Sequence, residues 1–411
     1  MKLWPFTSAP PAVKQSAAAA LMVNSPGQPR WTGRDFASLA LEAYKINVVG
    51  FMAINRVADA IAQVEWETWN GDRLIEAETP LSRLWDRPNE LQSRSEYLRA
   101  VVSFLLIAGN SYCEKVTGNR EPRELWTLRP DRMKVIPGGD GTIRGYQYEV
   151  GGRKVMFAND LKDQPVRHIK AFHPLDDFYG MSPTEPAARA VNQHNEAMAH
   201  LQSLLENQAT PRGGLKIPAD QTLGDEERAR VLAALETRFA GGGNAGRTML
   251  LEGGLDWVAM GLSPTDMGII DTKNSAARDI SLAYGVPPQM LGIPGDSTYS
   301  NYQEARISFY EDTVLPLLVL LTDEFNDWLS DDFGGLELRP NIDRIPAIAD
   351  KKRELWSMAD TSTDLTIDER RELKGYPPLP NGAGQVLAPA VQQGQAFNAD
   401  IKALQDRVAY G

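Results

Sequence analysis

The chain has 411 residues, with 42% hydrophobic and 24% charged residues, and is long enough for two or three substructures of a globular protein. Asp and Glu outnumber Lys and Arg by 54 to 43, and the net charge of −11 argues against a protein that grips nucleic acid through a basic surface. The single cysteine, Cys113, excludes an intrachain disulfide, and no apolar run reaches bilayer length, so we expect a soluble protein.

The N-terminal quarter of the chain begins with a tail and continues with helices and a hairpin. Residues 1–33 are rich in Ala, Pro, Ser and Gly, a composition with few residues to bury. Apolar residues at helical spacing predict a helix over 43–64. The alternating segment 65–69 and the turn Asn70-Gly71-Asp72 predict a β-hairpin, and an apolar helix over 95–108 ends at Gly109.

The middle of the chain is first rich in strands and then helical. Turn-forming Gly, Pro and Asp separate five expected strands, which are 111–116, 125–128, 133–136, 145–150 and 166–172. Helices are expected over 183–208 and 225–239, with a proline beyond the end of the first. Four glycines then end the second helix, and a strand is expected over 248–251.

A further helix, over 264–284, leads into the proline-stiffened turn 285–292 and a small-residue loop over 293–302. The long apolar helix 303–329 follows and carries Pro316 near its middle. Because proline removes one backbone hydrogen bond, it predicts a kink in this helix. The expected elements beyond it are a short strand at 336–339 and helices at 348–358 and 366–373.

Residues 241–248 come close to the phosphate-cradling pattern G-x-x-x-x-G-K-[ST], with Arg247 in place of the lysine. A phosphate loop follows a strand and opens a helix, whereas here a helix precedes and a strand follows. This reversed order favours a flexible connection. A nucleotide hydrolase that uses these residues is kept as an alternative.

Metal and acid–base chemistry have few candidate residues in this sequence. His173, Asp176 and Asp177 form one cluster of metal-ligand types, although solvated loop groups are the favoured interpretation. The sequence lacks G-x-S-x-G, H-E-x-x-H and CxxC motifs. We therefore expect no enzyme, no cofactor, no metal and no catalytic residue. The alternative is a nucleotide- or metal-dependent enzyme that acts on nucleic acid.

Six short motifs in order resemble the portal-protein family of tailed double-stranded-DNA bacteriophages, in the branch that includes prophages and gene transfer agents. The motifs are Gly109-Asn-Ser-Tyr-Cys-Glu114, Gly180-Met-Ser-Pro183, Gly285-Val-Pro-Pro-Gln-Met-Leu-Gly292, Thr298-Tyr-Ser-Asn301, Phe309-Tyr-Glu-Asp-Thr-Val-Leu-Pro316 and Leu365-Thr-Ile-Asp-Glu-Arg370 with Gly375-Tyr-Pro-Pro378. The resemblance as a whole covers residues from about 40 to 385. The resemblance implies an α+β portal-type fold, with a wing, a helical stem, a small α/β clip and a helical crown, assembled as a ring.

The resemblance also implies a function and partners. The ring, expected to be a dodecamer, would occupy one capsid vertex and pass double-stranded DNA without sequence recognition. Its partners would be the major capsid protein, the terminase large subunit that packages the DNA, and a head-completion or adaptor protein of the head–tail connector. The protein would be located in the virion, and in the host cytoplasm during assembly, with no membrane contact.

Mapped onto this chain, the resemblance places the wing at 34–215 and 290–345, after a flexible tail over 1–33. The stem and clip would lie within 216–289, and the crown and C-terminal tail would be 346–411. Gly243, Asn244 and Arg247 would make clip contacts with a partner. The kink at Pro316 would suit a radial spoke that bends around a channel.

The loop over 293–302 would be the tunnel loop that lines the channel constriction, with Asp296, Ser297, Thr298, Tyr299, Ser300 and Asn301 facing the DNA. Its only charge is Asp296 and it contains no Lys or Arg, so it could approach phosphates without binding them. The net charge of −11, repeated around a ring, would also repel DNA wherever it faces the channel.

Overall fold

The computed structural model describes residues 35–118, 121–138, 142–159, 164–206, 213–216, 256–259, 268–295 and 299–387, with residues 224, 226, 229 and 230. These residues belong to one unit, Thr32–Gly411. Ten α-helices lie in the described part: α1 (Phe36–Leu39), α2 (Val48–Ala62), α3 (Pro80–Asp86), α4 (Arg94–Ala108), α5 (Thr184–Glu206), α6 (Ile269–Ala283), α7 (Tyr299–Ser308), α8 (Leu315–Leu329), α9 (Pro346–Thr361) and α10 (Ile367–Leu373). Two π-helical stretches, Ala40–Ile46 and Phe309–Val314, extend α1 and join α7 to α8.

The strands form small antiparallel sheets, as an α+β fold requires. They are β1 (Trp66–Asn70), β2 (Arg73–Ile75), β3 (Asn110–Gly118), β4 (Glu121–Leu128), β5 (Met133–Pro137), β6 (Ile143–Val150), β7 (Arg153–Ala158), β8 (Val166–Lys170), β9 (Gly213–Lys216), β10 (Asp256–Ala259) and β11 (Glu337–Pro340). Their orders are β11-β1-β2, β4-β3-β8, β5-β6-β7 and β10-β9. In the sheet ordered β4-β3-β8, the middle strand β3 pairs with β4 on one side and with β8 on the other.

The main core lies between α2, α4 and α8. Helix α2 buries apolar residues at helical spacing, with Ile54, Val57 and Ile61 fully buried. Trp85 of α3 stands edge-on to Phe325 of α8, with ring centroids 4.8 Å apart. An edge-to-face pair of this kind adds about 1 kcal/mol beyond the area it buries. The long helix predicted from the sequence is therefore a central element of the core.

Local signals in the sequence correctly predicted several element boundaries. The hairpin of β1 and β2 turns at Gly71, whose φ of 57° suits glycine. Helix α4 begins with a capping box between Ser93 and Glu96 and ends at Gly109, which has a φ of 70°. The strand-rich middle and the helix after residue 183 are also confirmed.

Other predicted boundaries need correction. Helical structure starts at Phe36 rather than at residue 43, and the chain then bends by 96° between Phe36–Ile46 and Val48–Ala62. The side chain of Asn47 makes this corner, because its Oδ1 accepts hydrogen bonds from the backbone N–H groups of Val49 (3.0 Å) and Gly50 (2.9 Å). Strand β7 was not predicted, because its side chains are mostly exposed and show no apolar alternation.

Two predicted elements, the helix over 225–239 and the strand over 248–251, fall outside the described residues apart from short helical fragments at 226 and 229–230. Within the described part, no single helix has the length and apolarity needed to cross a membrane. One bent pair, Phe36–Ile46 with Val48–Ala62, meets the criteria only when its two helices are taken together.

Ion pairs fasten helix α8 and the turn after it to the sheet of β3 and β8. Lys115 Nζ of β3 lies 2.5 Å from Asp332 Oδ2. Arg167 of β8 reaches both Glu324 and Asp327, each at 2.6 Å. The Lys115 side chain is only 5% exposed, so its charge depends on this partner.

Removing Asp332 is expected to destabilise the fold more than removing Lys115. Asp332→Asn leaves the buried ammonium of Lys115 without its counter-ion, which costs roughly 3 kcal/mol of unfolding free energy. Lys115→Met removes the buried charge and keeps the side-chain volume, and since Asp332 stays 30% exposed it costs on the order of 1 kcal/mol. Urea unfolding of both variants measures the difference. Equal losses would contradict this account of the ion pair.

Candidate functional site

The turn after helix α6 is a rigid structure built around two glycines. Gly285 and Gly292 have φ values of 64° and 70°, a region that other residues rarely adopt. Between them, Val286 and Met290 are buried, and residues 288–291 form a 3₁₀-helix. Ser281 Oγ donates a hydrogen bond to the carbonyl of Val286. The turn therefore points the chain in one defined direction.

Gly285 is held against the π-helical stretch Phe309–Val314. Thr313 Oγ1 donates to the carbonyl of Gly285 at 2.7 Å. A Cβ on Gly285 would lie only 2.4 Å from that hydroxyl oxygen. The turn thus requires glycine both for its φ and for this close approach.

The segment that was predicted as a loop over 293–302 is partly helical. Helix α7 begins at Tyr299 rather than at residue 303, so Tyr299, Ser300 and Asn301 lie in its first turn. Asp296, Ser297 and Thr298 fall outside the described residues. The described part of the loop is therefore short. It consists of Ile293, which is buried, and two exposed residues, Pro294 and Gly295.

A cation that the local sequence did not reveal lies beside this segment. Arg278 of α6 donates from Nη2 to the carbonyl of Pro294 at 2.6 Å, and its side chain is exposed. A Cβ on Gly295 would lie 2.8 Å from the same nitrogen. The segment lacks its own Lys or Arg, but the fold gives it one from 16 residues upstream. Nothing in the spacing of the sequence pointed to Arg278.

Pro316 lies in the first turn of α8, directly after the π-helical stretch. The backbone N–H of Leu315 bonds to the carbonyl of Tyr310, five residues back. A proline ring clashes with the carbonyl four residues before it, and a widened π turn accommodates this. The helix therefore continues through the proline, and the kink at Pro316 stays a prediction.

Two of the sequence motifs meet at Asn110. Its Oδ1 accepts hydrogen bonds from Gly180 N at 2.7 Å and from His168 Nε2 at 2.9 Å. Its Nδ2 donates to the carbonyls of Ala108 at 2.7 Å and Gly180 at 3.2 Å. A Cβ on Gly180 would lie 2.1 Å from the carbonyl oxygen of Gly109. The two motifs therefore interlock through backbone contacts that only glycine allows.

Buried hydroxyl groups continue this network to the helix pair α5 and α6. The carbonyl of Leu106, near the end of α4, accepts hydrogen bonds from Ser182 Oγ at 2.8 Å and Thr184 Oγ1 at 2.9 Å. Thr184 Oγ1 also lies 2.7 Å from the hydroxyl of Tyr284. These bonds satisfy a carbonyl that the end of α4 leaves open.

Helices α5 and α6 pack side by side in opposite directions. Thr184 at the start of α5 touches Tyr284 just after the end of α6. Burial lowers the pKa of His194, and the nearby Lys273, near the start of α6, lowers it further. The contact surface is rich in small residues, and its buried members include Ala187, Ala190, Val191, Ala277 and Ile280. The strands β9 and β10 pair beyond this helical pair.

His168 is a partly buried, neutral histidine. Its ring stacks on Tyr112, with centroids 4.3 Å apart. Because Asn110 Oδ1 is an acceptor, Nε2 of His168 carries the proton, and Nδ1 has no hydrogen-bond partner within the described residues. Burial, with a smaller effect from Lys170, lowers the pKa of His168 to about 3.

His168 is expected to make the fold sensitive to mild acid. The unfolded state gains its proton near pH 6.5, whereas the folded state resists it down to about pH 3, so stability falls as pH drops below 6.5. The loss approaches about 1.4 kcal/mol per pH unit. His168→Gln should be less stable at pH 7 but should show a flatter decline between pH 7 and 5 in urea unfolding. Parallel curves for the two proteins would refute the assignment.

The groups proposed for a metal are used locally in the loop that follows β8. His173 Nδ1 accepts a hydrogen bond from Leu175 N at 3.0 Å. Burial raises the pKa of Asp176, but hydrogen bonds from Phe178 N and Tyr179 N outweigh it and keep that pKa below its ordinary value. Among the described residues, no group of three metal-ligand side chains comes together. The phosphate-loop-like segment, with Gly243, Asn244 and Arg247, lies outside them.

Local hydrogen bonds hold the C-terminal motif together. Thr366 and Glu369 make a capping box at the start of α10, with Thr366 N donating to Glu369 Oε2 at 2.7 Å. Arg371 donates to the carbonyl of Pro377 at 2.9 Å and lies over the ring of Tyr376. These contacts close a turn after α10.

Comparison with known proteins identifies what this arrangement is similar to. The family model described as "Phage portal protein" matches residues 49–375. An uncharacterized protein of Rickettsia felis is 36% identical over 349 residues, which are 84% of this chain and 90% of that protein. The portal protein of Enterobacteria phage HK97 is 26% identical over 322 residues, covering 75% of this chain and 72% of its own length.

A solved structure resembles the fold over most of its length. A chain in the neck of a native gene transfer agent (GTA) particle, computed with C12 symmetry, has a TM-score of 0.67 and 43% identity to this chain. The match covers 87% of this chain and 98% of the other.

Proposed function

This chain belongs to the phage portal protein family, and from that membership we propose that it works as the portal subunit of a capsid vertex. Its copies form a ring, and double-stranded DNA is packaged through the ring by a terminase and later leaves by the same route. The observation that carries the proposal is the family match over 49–375, together with the shared fold of a chain from a C12-symmetric particle neck. The location that follows is the virion.

A twelvefold ring is the oligomer that this relationship supports. The neck chain is 43% identical to this chain, and the two share a fold over 87% of this chain and 98% of the other. A ring needs one patch on each subunit that fits a different patch on the next. We propose that the subunits form a dodecamer. Its proposed partners are the major capsid protein, the terminase large subunit and a head-completion protein.

The packing of the helices supports a division of the chain into portal domains. Helices α5 and α6 form an antiparallel pair, and β9 and β10 pair beyond it. We propose that α5 and α6 are the stem, which moves the first border of the wing from residue 215 to the start of α5. The clip then lies beyond β9 and β10, and α9 and α10 belong to the crown.

The segment over 293–302 is proposed to face the channel. It follows the rigid turn of Gly285 and Gly292 and leads into α7, so the fold holds both of its ends. Its own sequence carries a single charge, Asp296. Arg278 adds one cation whose hydrogen bond to Pro294 ties it to the backbone, and this limits its reach toward phosphates.

An enzymatic role gains no support from the described residues. The carboxylate of Asp176 and the imidazole of His173 hold their own loop together. The alternative of a nucleotide- or metal-dependent enzyme would require magnesium-stimulated nuclease activity that is lost in Asp177→Ala.

Negative-stain images of the purified protein test the portal directly. We expect rings with a central channel wide enough for duplex DNA, with twelve subunits. A sample that contains only monomers without a central hole would overturn the proposal.

A further inference from the structure

Two large apolar side chains stand almost fully in solvent after strand β8. Phe172 is 85% exposed and Leu175 is 91% exposed. We call the segment that carries them the 172–175 loop. An apolar pair that is exposed to this degree is unusual on a protein that works as a monomer.

Hydrogen bonds hold the 172–175 loop in this exposed position. Ala171 N donates to Gly109 O at 2.9 Å at one end. At the other end, Asp176 Oδ1 accepts from Phe178 N at 2.8 Å and from Tyr179 N at 3.0 Å. The apolar tip is therefore presented by a fixed frame, and little conformational entropy is lost when it is covered.

A second exposed apolar feature is an open pocket. It is lined by Phe36, Leu41, Tyr44 and Phe51, and it has a volume of about 600 Å³. We call it the 36–51 pocket. Leu41 and Phe51 remain 43% and 42% exposed, so the chain by itself leaves the pocket partly uncovered.

The loop and the pocket both lie at the end of one sheet where β3 begins, because β4 and β8 are both antiparallel to β3 and leave the sheet at that end. In the sheet ordered β4-β3-β8, Leu128 of β4 and His168 of β8 both stand opposite Tyr112 of β3. The chain leaves β4 at Arg129, on the rim of the pocket, and leaves β8 toward Phe172. The two patches follow the two strands that flank β3, and a head-to-tail ring contact requires two different patches on each subunit.

We propose that the 172–175 loop of one subunit inserts Phe172 and Leu175 into the 36–51 pocket of the neighbouring subunit. The inference rests on the proposed ring, and it names one contact that holds the ring together. Each copy contributes a loop to one neighbour and a pocket to the other, so the contact repeats around the ring without leaving an unused half.

Charges at the two patches favour the same pairing. The carboxylates of Asp176 and Asp177 directly follow the 172–175 loop, and the pocket is lined by Lys45 and Arg129 as well as Asp131. Arg129 is held by Asp131 at 2.8 Å, whereas Lys45 has no ion-pair partner within the described residues. Lys45 is therefore the cation available to a carboxylate of the incoming loop.

Engineered cysteines test the contact, and the native thiol does not interfere. Cys113 is fully buried, and burial raises its pKa to about 12. We expect an oxidised equal mixture of Phe172→Cys and Leu41→Cys proteins to give covalent dimers. The double variant should give a ladder of linked subunits on a non-reducing gel. Phe172→Cys mixed with Asp72→Cys, which lies in the β1–β2 turn, is the matched control and should stay unlinked.

Any other result of the crosslinking experiment would contradict the proposed contact. Rings seen by electron microscopy without covalent dimers would overturn this contact and leave the portal function standing. Phe172→Cys that links to itself, or a double variant that links only within one chain, would also overturn it. A sample without rings would overturn the ring as well as the contact.

A pair of aspartates tests the same contact without cysteine chemistry. Phe172→Asp with Leu175→Asp should lower the fraction of subunits in rings at least tenfold at a fixed protein concentration, while the circular dichroism spectrum stays unchanged. Leu91→Asp, which alters another loop residue that is 78% exposed, is the control and should leave the rings intact. A double-aspartate protein that still forms rings in normal yield would refute the proposal.

Discussion

Gly180→Ala is expected to lower the free energy of unfolding by at least about 3 kcal/mol. A Cβ at this position would lie 2.1 Å from Gly109 O and 2.7 Å from both the N and the O of Ala171. All of these neighbours are backbone atoms, which side-chain rotation cannot move aside. The strain would fall at the end of α4, the start of β3 and the end of β8. The whole hydrogen-bond network around Asn110 would therefore have to shift.

The matched control for this prediction is Gly118→Ala. There, the nearest atom to a new Cβ is Arg123 Cγ at 3.1 Å, the middle of a flexible side chain that can turn away. We expect a change within about 0.5 kcal/mol. Urea unfolding of both variants measures the difference, and similar midpoints for the two would show that the contact of Gly109 with Gly180 is not required.

Asn110→Ala probes the same network from its other side. It leaves Gly180 N buried without a partner and removes the hydrogen bonds to the carbonyls of Ala108 and Gly180, which costs roughly 2–4 kcal/mol. Loss of stability in Gly180→Ala alone would point to the steric contact. A double variant that loses less stability than the sum of the two single losses would show that the hydrogen bonds and the glycine contact act as one unit.

Three lysines in the proposed channel segment should slow the passage of DNA. Ser297→Lys, Thr298→Lys and Ser300→Lys add three cations to each subunit, and the ring repeats them around the channel. Because cations that meet phosphates release counter-ions, the new attraction should depend strongly on salt. We expect the time for DNA to leave the particle to rise on the order of tenfold at low salt, and to return toward normal at high salt.

The same three positions changed to Gln give a control of similar size without charge, and its ejection time should match that of the parent. Ejection is measured on assembled particles from the appearance of nuclease-sensitive DNA. If the lysine and glutamine variants behave alike at every salt concentration, the segment over 293–302 does not line the channel.

Particular residues show how much of this structure the sequence could predict. The hairpin at Gly71, the helix stop at Gly109 and the strands on either side of residue 130 follow from local spacing and turn chemistry. The start of α7 at Tyr299 was missed because Thr298-Tyr-Ser-Asn301 has a polar composition that is equally compatible with a loop. Backbone hydrogen bonds, not composition, decide where that helix begins.

The sequence by itself determined the helical and strand periods, the positions that need glycine, the low charge of 293–302, and the family. These are properties of neighbouring residues, because the repeat of a helix or a strand is set by a few consecutive backbone angles. The tertiary structure alone decided that Gly109 contacts Gly180, that Arg278 reaches Pro294, and that Phe172 stays uncovered. Such contacts join residues that are far apart in the chain, and close packing of the whole core fixes them.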